Sequence, residues 1–183
     1  MGETTVLLHT CCAPCSSAII EALLQNGITP VIYYCNPNIY PREEYEIRKN
    51  ECTRYAQALG LEIVDADYDH ENWLAEMKGL ENEPERGGRC LKCFKLRLLR
   101  TAQYARERGI KVITTTLASS RWKSLDQITR PADGLAATKK RQSGGTRTGV
   151  KVACRSAGTR FLRNMISTTS DIAAANSACR RMT

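Results

Sequence analysis

From residue 6 to residue 117 the chain alternates short apolar runs with longer stretches of helical spacing, and this alternation restricts it to one kind of architecture. Val6-Leu7-Leu8-His9 reads as a first strand, and residues 16–25 carry helical periodicity that Gly27 closes as a C-cap. Residues 31–35 predict a second strand, followed by an Asn36-Pro37-Asn38 turn and a helix over 43–58 that stops at Gly60. A third strand is expected over 61–64, a helix around 71–78, an acidic loop with glycines over 81–88, and a helix over about 91–108 before Gly109. The run Val112-Ile113-Thr114-Thr115-Thr116-Leu117 predicts a fourth strand. Strands and helices in this order build a mostly parallel sheet with helices on both faces. A chain of 183 residues buries one good core, so one domain plus an appendage is expected.

Ligands in such folds gather beyond the carboxyl ends of the strands, and that edge is where the chemistry-bearing residues fall. Cys11, Cys12 and Cys15 sit in a Thr-Cys-Cys-Ala-Pro-Cys-Ser run straight after the first strand. Asn36 and Asn38 follow the second strand, and Ser119, Ser120 and Arg121 follow the fourth. Cys90 and Cys93, a Cys-x-x-Cys at a helix start, are one turn apart and can face the same edge. Thiolates bind zinc and iron–sulfur clusters strongly, although an adjacent Cys-Cys pair is unusual for a structural zinc knuckle. The start, Met-Gly-Glu-Thr-Thr, has no basic segment or long apolar stretch, and no transmembrane run is visible, so a cytoplasmic protein is expected. In that reducing compartment nine cysteines point to metal ligation or redox turnover rather than to structural disulfides.

Other residues divide between packing and function. Cys35 and Cys52 read as buried small residues, because a free cysteine behaves as a small hydrophobe. His9 reads as a satisfied strand residue, and of Tyr33 and Tyr34 one is expected in the core and one toward the site. Tyr40 and Tyr45, beside Arg48, are candidates to stack on or hydrogen-bond a flipped nucleotide. The Lys and Arg residues over 92–108 fit either phosphate contacts or a solvated helix face.

Four segments together carry a family resemblance. Leu-His-Thr-Cys-Cys-Ala-Pro-Cys, Tyr-Cys-Asn-Pro-Asn-Ile-Tyr-Pro with Glu44, Tyr45 and Arg48 behind it, Arg-Cys-x-x-Cys from Arg89 to Cys93, and Thr-Thr-Thr-Leu-Ala-Ser-Ser over 114–120 resemble the QueH-type epoxyqueuosine reductases. The resemblance covers about residues 1–128. It implies a Rossmann-like fold of the adenine-nucleotide-hydrolase (HUP-like) kind and an enzyme of tRNA modification, which reduces epoxyqueuosine at the wobble position to queuosine. Carried over by motif, Cys11, Cys12, Cys90 and Cys93 would hold a 4Fe-4S cluster, and Cys15 lies close enough to bind a second, mononuclear metal or the cluster's open side. Asn36, Asn38, Tyr40, Tyr45, Arg48, Ser119 and Arg121 are the substrate candidates. The implied partners are a tRNA with a queuosine-type anticodon and, since no flavin or nicotinamide fingerprint is visible, an external electron donor.

The tail departs from that pattern. Residues 1–128 hold 16 Lys and Arg against 17 Asp and Glu, a net of −1, whereas 129–183 hold 11 against 2, a net of +9. The tail contains no Tyr or Trp and a single Phe, Phe161, so it has little with which to pack against a sheet and reads as a disordered or non-native segment. The family pattern would instead continue with Trp-Arg-Lys-Gly-Gly and end near a Tyr-Cys-x-Cys that supplies a redox-active cysteine pair. Read one nucleotide earlier, the codons of residues 146–153 are compatible with Asp-Gln-Asn-Trp-Arg-Lys-Gly-Gly. Those of 166–179 are likewise compatible with Asp-Phe-Tyr-Asn-Gln-Arg-Tyr-Cys-Gly-Cys-Glu-Phe-Ser-Met, with the cysteine pair at Ala173 and Ala175. A shifted frame over 129–183 accounts for both segments; a genuine basic arm for RNA is the rival reading. On the frameshift reading Cys154 and Cys179 are bystanders, and 1–128 is an α/β iron–sulfur catalytic domain that lacks its C-terminal part.

Two other function classes fit the same residues. One is a nucleic-acid-binding module in which the cysteines hold structural zinc without turnover. The other is a nucleotide-dependent tRNA thiolation enzyme of similar architecture, against which the first turn offers Cys-Cys-Ala-Pro-Cys where a Ser/Gly-rich phosphate cradle is needed.

Overall fold

A computed structural model of the chain describes residues 4–119 and 151–152. In chain order these form β1 (Thr4–Thr10), α1 (Ala13–Gln25), β2 (Ile28–Tyr34), α2 (Arg42–Ala58), β3 (Ile63–Asp65), α3 (His70–Met77), α4 (Gly88–Glu107) and β4 (Val112–Thr115). A 3-10 turn over Thr116–Ser119 and the two-residue β5 (Lys151–Val152) complete them. The fourth strand is shorter than the apolar run predicts, because Thr116 and Leu117 leave the sheet for that turn. The remaining expected elements are present with ends shifted by a few residues.

The strands lie in the order β3-β2-β1-β4-β5, and every pairing is parallel. Leu8, for example, pairs with Ile32 on one side and Thr114 on the other. The expected tail falls on residues outside the described ones, except that Lys151 and Val152 pair with Val112 and Ile113 at the sheet edge.

Strand periodicity sends alternate side chains to opposite faces, and each face has its own helices. Val6, Leu8 and Ile32 pack with Ile20 and Leu23 of α1 and Ala56 of α2. Leu7, Val31, Tyr33 and Ile113 pack with Ala102 and Ala105 of α4. Leu7 and Leu8 are wholly buried, each burial contributing about 1.5–3 kcal/mol, so β1 is the central strand of a two-sided core. Gly27 (φ +68°) and Gly60 (φ +67°) take the left-handed conformation just beyond α1 and α2, as the C-cap reading requires.

This winding fixes where a site can be. The chain passes from β1 to β2 to β3 on one side, then returns through α3 and α4 to place β4 on the other side of β1. The strand order therefore reverses between β1 and β4, and the crevice beyond their carboxyl ends is the switch point at which such sheets bind ligands.

Candidate metal centre

Three thiols converge at that switch point. Cys11 follows the last residue of β1, and Cys12 is the extended N-cap of α1 (φ −167°, ψ 162°). Pro14, with no N–H to satisfy, suits the first turn of α1, and Cys15 lies three residues after Cys12 on the same side of the helix. The Sγ atoms of Cys11 and Cys12 are 3.9 Å apart, and those of Cys11, Cys12 and Cys15 all lie within 4.8 Å of one another. All three residues are half-buried. Thr116, from the turn after β4, secures the trio across the crevice: its Oγ1 accepts the Cys11 N–H at 3.3 Å and donates to Cys11 Sγ at 3.4 Å.

The donor set fits a thiophilic metal. Three cysteine sulfurs at this spacing suit zinc or an iron–sulfur centre and ill suit the hard oxygen-seeking cations. Hydrogen bonding to Cys11 and then Cys15, with burial added, holds the Cys12 thiol well above its ordinary range. Metal binding at the trio must therefore displace the Cys12 proton.

Cys90 and Cys93 stand in the opening turns of α4, outside this trio; among the described residues no other three ligating side chains come within 4.8 Å of one another. The family resemblance groups Cys11 and Cys12 with this pair and puts Cys15 close by; the geometry brings Cys15 to them, since an N-cap and the residue three positions later meet on one helical turn. The two regions are nevertheless neighbours. Cys90 packs against the cluster of Phe94, Leu98 and Leu117, and Leu117 directly follows the Thr116 that holds Cys11. Cys93 is buried, and the Trp73 indole N–H donates to its Sγ at 3.3 Å.

The substrate candidates separate by exposure. Asn36 is 1% exposed, with its Nδ2 donating to Thr10 O at 2.9 Å and its Oδ1 accepting from Arg97 Nη2, so both ends of the amide are spent within the protein. Asn38 is half-buried, and its Oδ1 is a buried acceptor with no hydrogen-bond partner. Tyr40 is 75% exposed, while Tyr45 is 1% exposed and donates its hydroxyl to Asp65 Oδ1 at 2.5 Å. Tyr45 thus offers no ring face to a nucleotide: its position in the buried stripe of α2 turns it against Tyr34 and Tyr68. Arg48 is exposed, and its Nε donates to Glu44 Oε1 at 2.6 Å. Ser119 closes the turn after β4, and Arg121 lies outside the described residues.

Tyr33 and Tyr34 are both core residues, and Tyr34 packs with Ala13, the residue that follows Cys12. Tyr33 stacks on Tyr104 under α4, and Tyr34 donates its hydroxyl to Tyr45 O at 3.4 Å on the opposite face. Burial pushes both phenols above their usual range. His9 is fully buried, with Nδ1 on Thr115 Oγ1 at 2.8 Å and Nε2 on Cys35 O at 3.2 Å, a satisfied strand residue. Cys35 and Cys52 are buried, and desolvation pushes their thiols up to about 11 and about 12.

Sequence reasoning singled out none of three residues at this edge. Trp73 touches Cys93, Thr116 touches Cys11, and Arg97, 3% exposed, donates Nε to Cys35 O at 2.9 Å as well as binding Asn36. The signal for Arg97 was present: Cys90, Cys93 and Arg97 recur at three and four residues, one stripe of α4, so this arginine belongs to the inner face rather than to the solvated one.

Comparison with known proteins bears on the same segments. The family model described as "Epoxyqueuosine reductase QueH" matches residues 6–148. A protein of that name from Histophilus somni is 51% identical over 127 residues, 69% of this chain and 52% of the relative. One from Acinetobacter baylyi is 50% identical over 123 residues, 67% of this chain and 56% of the relative. One from Thermotoga maritima is 35% identical over 127 residues, 68% and 64% respectively. The chain therefore spans about half the length of the first two of these relatives. A match over most of the chain, in a range that includes the cysteines at the switch point, shows that the chain belongs to the QueH family of epoxyqueuosine reductases.

Proposed function

We propose that this chain is the metal-binding part of an oxidoreductase that removes the epoxide oxygen of epoxyqueuosine in tRNA, the last step of queuosine formation. The observation that carries this reading is the Cys11, Cys12 and Cys15 trio at the β1/β4 switch point, within a chain whose relatives bear that activity in their names. Converting an epoxide to an alkene and water consumes two electrons and two protons. A 4Fe-4S cluster ligated by Cys11, Cys12, Cys90 and Cys93 would supply electrons singly, and a metal held at Cys15 would weaken the C–O bond as a Lewis acid. The chain's own part is positional: Thr116 fixes Cys11, Trp73 fixes Cys93, and the unpartnered Asn38 Oδ1 is ready to accept a hydrogen bond from a substrate at this edge. Arg48, Ser119 and Arg121 complete the proposed substrate contacts. The electrons come from an external donor, and the setting is the cytoplasm; among the described residues no helix is long and apolar enough to cross a membrane.

Residues 129–183 bear on turnover. On the frameshift reading the partner cysteine pair is encoded over Ala173 and Ala175 in a frame the chain does not use. Expressing this chain and a frame-corrected version, then assaying epoxyqueuosine in tRNA with a chemical reductant, is expected to give activity only for the corrected form; equal activity would make the tail cysteines dispensable. Anaerobic purification with iron, zinc and sulfide analysis tests the metal directly. A colourless protein with stoichiometric zinc and no sulfide would overturn the iron–sulfur assignment in favour of a structural zinc module.

A further inference from the structure

A set of near-parallel aromatic rings leads from the surface to the thiols. His70 lies at 21° to Tyr40, 7° to Tyr68 and 17° to Trp73, with ring centroids 5.3, 5.5 and 5.6 Å away. At the inner end Trp73 donates its N–H to Cys93 Sγ, and at the outer end Tyr40 leaves three quarters of its surface open to solvent. The set is braced rather than loose: His70 Nδ1 bonds Pro37 O at 2.7 Å, and the Tyr68 hydroxyl donates to Ile39 O at 2.7 Å. Both bonds pin the loop after β2, which carries Asn38 and Tyr40, against the loop that enters α3. Arg42, exposed beside Tyr40, places its guanidinium 5.6 Å from the Tyr68 ring centroid, and its contact with Glu46 is loose at 3.9 Å, so a phosphate competes with a long, exposed ion pair there.

From this geometry we infer that the exposed ring of Tyr40 is a stacking platform for an unpaired nucleobase, with Arg42 beside it for the adjoining phosphate. The chemistry of the surface selects this ligand. A ring held rigidly by other rings loses little entropy when a base stacks on it, every base has a π-face, and an exposed guanidinium supplies the countercharge for a backbone phosphate. Position then specifies which base. The His70 and Trp73 rings stand between the Tyr40 platform and Cys93, so the base on Tyr40 belongs to a nucleotide neighbouring the one that reaches the thiols. The platform thereby orients the loop of an RNA and leaves the reacting nucleotide free to enter the crevice. This inference rests on the tRNA reading above and names a recognition element for it.

The test uses the full chain and two labelled RNA hairpins with the same stem, one with a base-bearing unpaired loop and one with an abasic loop. Affinity is read by fluorescence anisotropy. Tyr40→Ala is expected to weaken binding of the base-bearing hairpin by about 5- to 150-fold, as loss of one stacked base does, and Tyr40→Phe to leave it within about 2-fold. The abasic hairpin is expected to bind the unaltered protein as weakly as the base-bearing hairpin binds Tyr40→Ala, and to be indifferent to that substitution. Because Tyr40 is exposed, its replacement leaves the core intact, which circular dichroism checks. Unchanged affinity of Tyr40→Ala, or an equal loss on both hairpins, would overturn the platform while leaving the tRNA reading standing. Failure of the unaltered protein to bind either hairpin would overturn both.

Discussion

Replacing Trp73 with Phe removes one indole N–H from Cys93 Sγ, at 3.3 Å, and keeps an aromatic ring to stack on His70. The consequence follows from charge. A hydrogen bond to an ionised acceptor contributes about 1.5–3 kcal/mol, and a donor aimed at a ligating thiolate holds the more negative, reduced state more strongly than the oxidised one. Taking the upper end of that range, with roughly a third of the bond energy gained on reduction, the differential is about 1 kcal/mol. With 59 mV per tenfold change for one electron, that equals about 40 mV. If Cys93 ligates the proposed iron–sulfur centre, Trp73→Phe is therefore expected to lower its potential after reconstitution by about 40 mV, making it harder to reduce. An anaerobic spectropotentiometric titration of both proteins measures the difference directly. A potential unmoved within about 10 mV, or one that rises, would refute the argument that Cys93 is a ligand whose charge Trp73 balances.

Three further outcomes are expected. In the metal-free protein at pH 8, iodoacetamide should modify Cys11, Cys15 or Cys90 and spare Cys35 and Cys52, because burial raises these two thiols to about 11 and about 12 and leaves almost no thiolate; peptide mass spectrometry reports the pattern. The protection of Cys35 and Cys52 should disappear progressively only as pH rises through those values, so labelling of either at pH 8 as fast as of Cys90 would contradict the burial argument. Asn36→Ala leaves Thr10 O and the Arg97 fork without their amide partner and should cost about 2–4 kcal/mol in urea unfolding, which a contact held only for substrate would not do. Leu8→Ala, in the central strand at zero exposure, should cost about 2–5 kcal/mol and lower Tm accordingly, as calorimetry would show.

The sheet was legible because its signals are local. Apolar runs bounded by Gly27, Gly60 and Gly109 fix where elements stop, and an alternating order of strands and helices leaves few arrangements open. The switch-point position of Cys11 and Cys12 followed from that order alone. What escaped is set by distances along a helix axis and by which side of the sheet a residue serves. Tyr45 looked like a surface aromatic beside a cation, yet the buried stripe of α2 runs through Tyr45, Cys52 and Ala56. Asn36 looked like a free amide in a turn, but the turn brings it against the end of β1, where a backbone carbonyl claims it. Trp73 was invisible because its partner is 20 residues away on another helix, a contact made by packing α3 on α4 rather than by any short motif.

Arg97 ties these particulars into one electrostatic statement about the edge of the sheet. It is 3% exposed and donates to the Cys35 carbonyl and the Asn36 amide oxygen, both neutral. An ion buried among neutral acceptors costs several kcal/mol unless an opposite charge balances it. One turn back on the same stripe of α4 is the buried Cys93, and a further turn back is Cys90. Were these two the metal-bound thiolates of the centre proposed above, their negative charge would lie on the same stripe as the Arg97 cation. The same geometry suits Arg rather than Lys: a planar fork engages two acceptors beyond β2 at once, and one of them, Asn36, in turn holds the end of β1 through Thr10 O. The basic character of α4 thus divides by face, with Arg97 turned inward and Lys92, at 43% side-chain exposure and 3.2 Å from Glu76, left in the solvated layer, where a phosphate would have to compete with that carboxylate.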